Sequence, residues 1–206
     1  MKVESNAAKL YESLRARLNK ALSKEKPKFK RPDILLHPQI PKPLHGLNPR
    51  NLLGQDWWDI QRKKAYAENN YCCWACGIHK NDAKYFQHLE AHECYLYDYD
   101  NCSAEMIEVT ALCHSCHSYI HDGKMLMDLR KGLIPKSKFD DILAHGNNLK
   151  PEIPSTQNPY VKTYRRLLEL GFSYEKETWS EWKLVLEGKE FCTQFKDREA
   201  WENHYS

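Results

Sequence analysis

Two cysteine pairs constrain this chain more than any other feature. "CWAC" supplies Cys73 and Cys76, "CHSC" supplies Cys113 and Cys116, and 36 residues separate the pairs. A CxxC turn aims both sulfurs at one point, and two such turns can give one zinc ion four thiolates in a tetrahedron. One ion bound by both pairs closes a loop that is otherwise hard to order, so metal affinity contributes directly to folding. Cys72 adjoins the first pair and could substitute with wider spacing, whereas Cys73 keeps the two-residue gap. A competing arrangement takes two cysteines and two histidines from Cys113, Cys116, His117 and His121 and leaves Cys73 and Cys76 aside. Four buried free thiols are the blandest alternative. Cys94, Cys102 and Cys192 lack partner spacing and are expected to be packed thiols.

The N-terminal "MKVESNAAKL" lacks the apolar core of a signal peptide. Without one, spaced cysteine pairs are more often metal ligands than disulfides. The longest apolar runs are too short to span a bilayer, so a soluble, cytoplasmic protein with no membrane partner is expected. A length of 206 residues with 41% apolar content suits one compact domain with extensions. Charge is unevenly placed: residues 1–50 carry twelve Lys or Arg against four acids, and the rest carry nineteen against twenty-four. A basic arm on a mildly acidic body suits a polyanion such as nucleic acid, although a solvated leader has the same composition.

Three segments follow: a basic helix and Pro-rich arm over 1–50, a core over 51–146, and a helical and hairpin extension over 147–206. The spacing of Leu10, Leu14, Leu18 and Leu22 predicts a helix over 6–23 whose apolar stripe could meet the body, a protein partner or its own copy. Six prolines between 27 and 49 predict an extended linker; its cations could track phosphates while its apolar residues pin it to the body. A helix is predicted over 55–69 with Asp56 as N-cap, Trp57, Trp58, Ile60 and Ala65 as packing, and Arg62, Lys63 and Lys64 as a basic cluster. Further helices are predicted near 124–131, 137–145 and 160–170, the last capped by Gly171, and a hairpin over 182–195 around "EGK".

Seven of the eight cysteines and six of the ten histidines lie between 71 and 123. "KYFQHLEAHE" alternates as a strand with Phe86, His88, Glu90 and His92 on one face. "MIEVTALC" reads as a second strand entering the second cysteine pair. In "CHSCHSYIH", His117 and His121 fall one turn apart on a helix and could share a metal other than the four-cysteine zinc. His114, between the two cysteines, is expected to be exposed.

Knuckle, strand, loop, strand, knuckle and helix in that order resemble the HNH endonucleases, the ββα-metal or His-Me finger group, in the subset with a CxxC…CxxC zinc frame. "ALCHSCHSYIH" is similar to that family's closing "LCxxCHxxxH", and "LEAHE" resembles its "LEVHH" or "LxxDH". The matched region, about 72–122, covers roughly a quarter of the chain, and its flanks suggest a bacterial or phage-borne lineage. The resemblance implies an α+β fold with a small zinc-stabilised core and helical extensions. It implies metal-dependent phosphodiester hydrolysis in DNA, with His117 and His121 holding a cation such as Mg²⁺, Mn²⁺ or Ni²⁺.

Two alignments of "LEAHE" are open. One puts His92 at the metal position and Glu93 at the base position. The other makes His92 the base and leaves the metal position to Ala91. The second is the expectation, because an imidazole accepts a proton at neutral pH better than a carboxylate does. Glu93 could then reach the cation or orient His92. Glu108 stands where the family has Asn, and Asp98 in the intervening loop could orient His92 or contact metal. Asp100 is expected to be a solvated loop residue. The same frame also fits a non-catalytic zinc-stabilised binding module or an inactivated nuclease.

Overall fold

The computed structural model describes residues 11–18, 25–150, 159–170 and 179–205. Its fold is mixed α+β. Residues 11–18 are helical (α1), and Tyr11, Leu14 and Leu18 are exposed; Leu10, Leu22 and Gly171 lie outside the described residues. Helices α2 (Pro49–Leu53) and α3 (Gln55–Glu68) precede a hairpin of β1 (Glu90–Asp98) and β2 (Ser103–Leu112). Then come α4 (His114–Ile120), α5 (Asp122–Arg130), α6 (Lys136–Leu149) and α7 (Pro159–Leu170). The chain closes with β3 (Lys183–Leu186), β4 (Lys189–Cys192) and α8 (Arg198–Tyr205). Among the described residues no helix is long and apolar enough to cross a membrane.

The sheet has the order β1-β2-β3-β4, with β3 running parallel to β2 and the other neighbours antiparallel. The β3–β4 turn is the expected "EGK" hairpin: Glu187 and Gly188 take φ of 49° and 75°, the paired positive values that match strand twist. Helix α3 is capped two residues before the expected position, with Gly54 as N-cap and Asp56 in the first turn. Trp58 and Ala65 are buried on it, whereas Ile60 is exposed.

Strand β1 is displaced from its expected span. Tyr85 has φ of 75°, which breaks the extended run, and its hydroxyl bonds Asp141 on α6. Phe86 and His88 therefore stack on each other outside the sheet and share no strand face with His92. In the other direction β1 continues through "YLYD", expected as loop, because Tyr95 and Tyr97 bury against Leu44 and Trp182. A bulge between Cys94 and Tyr95 divides two interiors. The first gathers Ile34, Leu35, Trp74, Leu89, Leu112 and Ile120; the second gathers Leu44, Tyr95, Tyr97, Trp182, Leu184 and Leu186.

The Pro-rich arm is docked along its length. Ile34, Leu35 and Leu36 form a buried 3-10 turn (Pro32–Leu36). Asn69, fully buried, accepts from the Lys28 and Phe29 amides at 2.8 and 3.2 Å. Arg31 gives both guanidinium ends to Glu108 at 2.9 and 2.8 Å, and its amide donates to the Trp74 carbonyl at 2.7 Å. One of the arm's cations is thus used inside the protein.

Candidate metal centres

The first CxxC turn is fixed from two sides before any metal is considered. The Trp74 amide donates to Ala111 of β2 at 2.8 Å, its indole N–H to Ala65 of α3 at 3.0 Å, and the Cys73 amide to Ile78 at 2.8 Å. The second turn lies at the start of α4, with Cys113 as N-cap and Cys116 one turn in. Together they bring the sulfurs of Cys73, Cys76, Cys113 and Cys116 within 4.8 Å of one another. Cys76 Sγ and Cys113 Sγ are 3.8 Å apart. Zn–S bonds of about 2.3 Å in a tetrahedron require an edge of about 3.8 Å, so the thiols fit a zinc ion. Cys72 stays out, its thiol directed at the carbonyls of Glu25 and Asn70. His117 and His121 are likewise not part of this cluster. His145 of α6 reaches Cys116 Sγ at 3.4 Å. Cys94 and Cys102 are buried as expected, but Cys192 is exposed on the edge strand β4.

His92, His117 and His121 form a second cluster, one ligand atom of each within 4.8 Å of the others. His117 lies in α4, and His121 sits where α4 ends and α5 begins. Their rings are 4.7 Å apart, and His92 reaches them across from β1 at 5.4 and 5.1 Å. Glu90, two residues before His92 on the same strand face, closes the arrangement from behind. One carboxylate oxygen takes His114 Nδ1 at 2.8 Å and the other takes His117 Nδ1. Burial works against the Glu90 carboxylate, but His117 and His114 outweigh it and hold its pKa near 2. A ligating histidine backed by a carboxylate through its other nitrogen is a recurrent way of fixing the ring and raising its basicity. The expectation of an exposed His114 is therefore corrected: it is anchored by Glu90 and packed edge-on against Phe86 at 4.5 Å.

Electrostatics favour neutral imidazoles. Burial, then the neighbouring rings of His37, His121 and His117, holds the His92 pKa well below its ordinary value. Burial and His117 bring His121 to about 4. Neutral rings with free lone pairs are the form that binds a cation. His92 is 3% exposed; its Nε2 faces His37 Nδ1 at 3.4 Å, and its Nδ1 is buried without a hydrogen bond. An unsatisfied buried nitrogen costs roughly 1–3 kcal/mol unless something binds it.

His117 and His121 line a cleft of about 290 Å³ with Glu90, Lys124 and Lys138. Glu93 is half-buried and does not itself line that cleft, but lies within electrostatic reach of His117 and Arg50. Burial raises its carboxyl pKa, and a backbone hydrogen bond, His117 and Arg50 offset only part of the rise. Arg50 itself lies over the Trp58 ring.

The expected loop contributor lies elsewhere. Asp98 sits at the far end of β1, where its carboxylate accepts from the Asp100 and Asn101 amides and the Asn101 side chain. Asp100 is exposed in the turn, as expected, and pairs there with Arg166. Of the basic cluster, Arg62 bonds Asp59 at 2.7 Å, and Lys63 and Lys64 are exposed. Tyr66 of the same helix packs against the first interior, which includes Leu89 just before β1.

Two residues of the histidine site escaped the sequence reading. Glu90 was visible as a neighbour of His92 at strand spacing, but nothing local showed that α4 would bring His117 to it. His37 carries no motif at all. Comparison with protein-family models, curated proteins and solved structures finds no match for this chain.

Proposed function

We propose that the chain is a metal-dependent endonuclease of the HNH type, hydrolysing phosphodiester bonds in DNA. The observation that supports this reading most is the three-imidazole cluster on a hairpin and helix, backed by Glu90 and separate from a complete four-thiol set. A purely structural zinc ribbon has no use for the second set. His92, His117 and His121 would hold the divalent cation, which supplies charge stabilisation at the leaving oxygen. His92 suits a ligand better than a base, since it is buried between His37 and the other two rings. That arrangement favours the alignment with Glu93 at the base position. Burial moves the Glu93 carboxyl toward neutrality, which makes it a better acceptor for the proton of an attacking water. Lys63, Lys64 and Arg62 on α3 would neutralise backbone phosphates.

The test is cleavage of supercoiled plasmid with Mg²⁺, Mn²⁺ or Ni²⁺ by the wild type, Glu93→Gln and His117→Ala. Both variants are expected to lose about 10²–10⁴-fold in rate, with cation binding kept by Glu93→Gln and lost by His117→Ala. Equal cleavage by all three would mean a contaminating nuclease and end the proposal. Cation binding without cleavage in the wild type would favour an inactivated nuclease or binding module, the reading that Glu93 in place of histidine also suits.

A further inference from the structure

We propose that His37, contributed by the N-terminal arm, is a positioning residue for the cation site, holding the His92 ring so that Nδ1 faces His117 and His121. The inference rests on the reading of those three histidines as one cation site.

A ligating imidazole is oriented by what its second nitrogen meets. For His117 that partner is Glu90. His92 has no carboxylate in this position; its Nε2 meets His37 Nδ1 at 3.4 Å, with the two rings edge to face at 5.2 Å and 86°. His37 is itself buried, at 6% exposure, so water does not compete for the contact.

The far side of His37 explains why an imidazole serves there. Its Nε2 lies 2.8 Å from the Tyr95 amide nitrogen and 3.2 Å from the Tyr95 carbonyl oxygen. The ring is therefore hydrogen-bonded to the β1 backbone in either neutral tautomer. With the proton on Nε2, it donates to the Tyr95 carbonyl and presents a lone pair at Nδ1 to His92 Nε2–H. That is the form a His92 ligating through Nδ1 requires. Two contacts keep His37 in place: its amide donates to the Ile34 carbonyl at 3.0 Å, and its ring packs on Tyr97 at 5.5 Å. Ile34, Leu35 and Leu36, just before it, are buried. The arm thus completes a site whose ligands come from β1 and α4, 55 residues or more along the chain.

The test titrates the zinc-loaded full chain with Co²⁺, whose visible spectrum separates nitrogen ligation from thiolate ligation. Wild type is compared with His37→Ala, His37→Gln, Leu36→Ala and His121→Ala. His37→Ala is expected to weaken nitrogen-ligated Co²⁺ by about 10–100-fold at unchanged zinc content. His37→Gln, which keeps an acceptor, restores most of that loss. Leu36→Ala loosens the same turn and lowers stability, but leaves Co²⁺ affinity near wild type. Equal affinity in wild type and His37→Ala overturns the inference, as does a loss in Leu36→Ala as large as in His37→Ala. If wild-type Co²⁺ uptake is absent, or is unaffected by His121→Ala, the cation site itself falls and the inference with it.

Discussion

The four-thiol and three-imidazole clusters share helix α4, with Cys116 and His117 adjacent in sequence, yet they are built on opposite principles. The thiols come from two tight turns, fill all four positions of a tetrahedron, and sit inside the first interior with Trp74, Leu112 and Ile120. The imidazoles come from a strand, a helix and a helix junction and supply three ligands, two of which, His117 and His121, border a cleft. A site that uses all its coordination positions can only stabilise. A site that leaves one free can act on something else. The two metals would therefore have separable effects.

The largest effect is expected at the thiols. Structural zinc contributes roughly 10–16 kcal/mol of apparent binding free energy, which exceeds the net stability of about 5–15 kcal/mol typical of a domain. Cys73→Ser with Cys116→Ser should therefore lose zinc and the cooperative thermal transition together. His117→Ala should keep both, with stability changed by about 1–3 kcal/mol. Metal analysis and circular-dichroism melts read the two outcomes. A cooperative transition surviving in the cysteine variant would show that the separation is drawn in the wrong place.

A smaller effect, confined to the other cluster, is expected at Glu90. Glu90→Gln removes the charge behind His117 but keeps an acceptor and the side chain's size. Affinity for the second cation should fall about 10–100-fold, with zinc content and melting unchanged. A drop in zinc content would mean that the two centres are coupled through α4.

Why one centre was legible in the sequence and the other only in part follows from where the ligands come from. A CxxC turn is local, so Cys73, Cys76, Cys113 and Cys116 could be read from spacing alone. His117 and His121 were equally readable, one helical turn apart. The edges of β1 were not: periodicity reports an alternating face, but Tyr85 breaks the strand at a left-handed backbone that its pattern conceals. Tyr95 and Tyr97 looked like loop residues because the surface that buries them, Leu44 and Trp182, is supplied from both distant ends of the chain. The parallel pairing of β2 with β3 and the seating of His37 on Tyr95 are non-local in the same way. The arm's apolar residues were expected to pin it to the body, and Ile34–Leu36 do so, but composition did not single out that turn or the seat of His37.

Glu108 gives the smallest expected effect and divides the two regions most finely. By resemblance its position should carry an asparagine that organises the catalytic histidine. In the structure it pairs in register with Cys94 on β1 and grips Arg31 with both oxygens. Both side chains are a quarter to a third exposed, so solvent screens the pair and about 1 kcal/mol is a fair expectation for breaking it. Glu108→Gln should lower stability by that amount in urea at low salt and by less in 1 M NaCl, where screening has already weakened the pair. Affinity for the second cation should not move, because the Arg31 contact lies beside Trp74 at the thiol end. If cation affinity falls while stability holds, Glu108 belongs to the histidine site after all. Its grip on Arg31 would then be the way the arm carrying His37 is registered against β1.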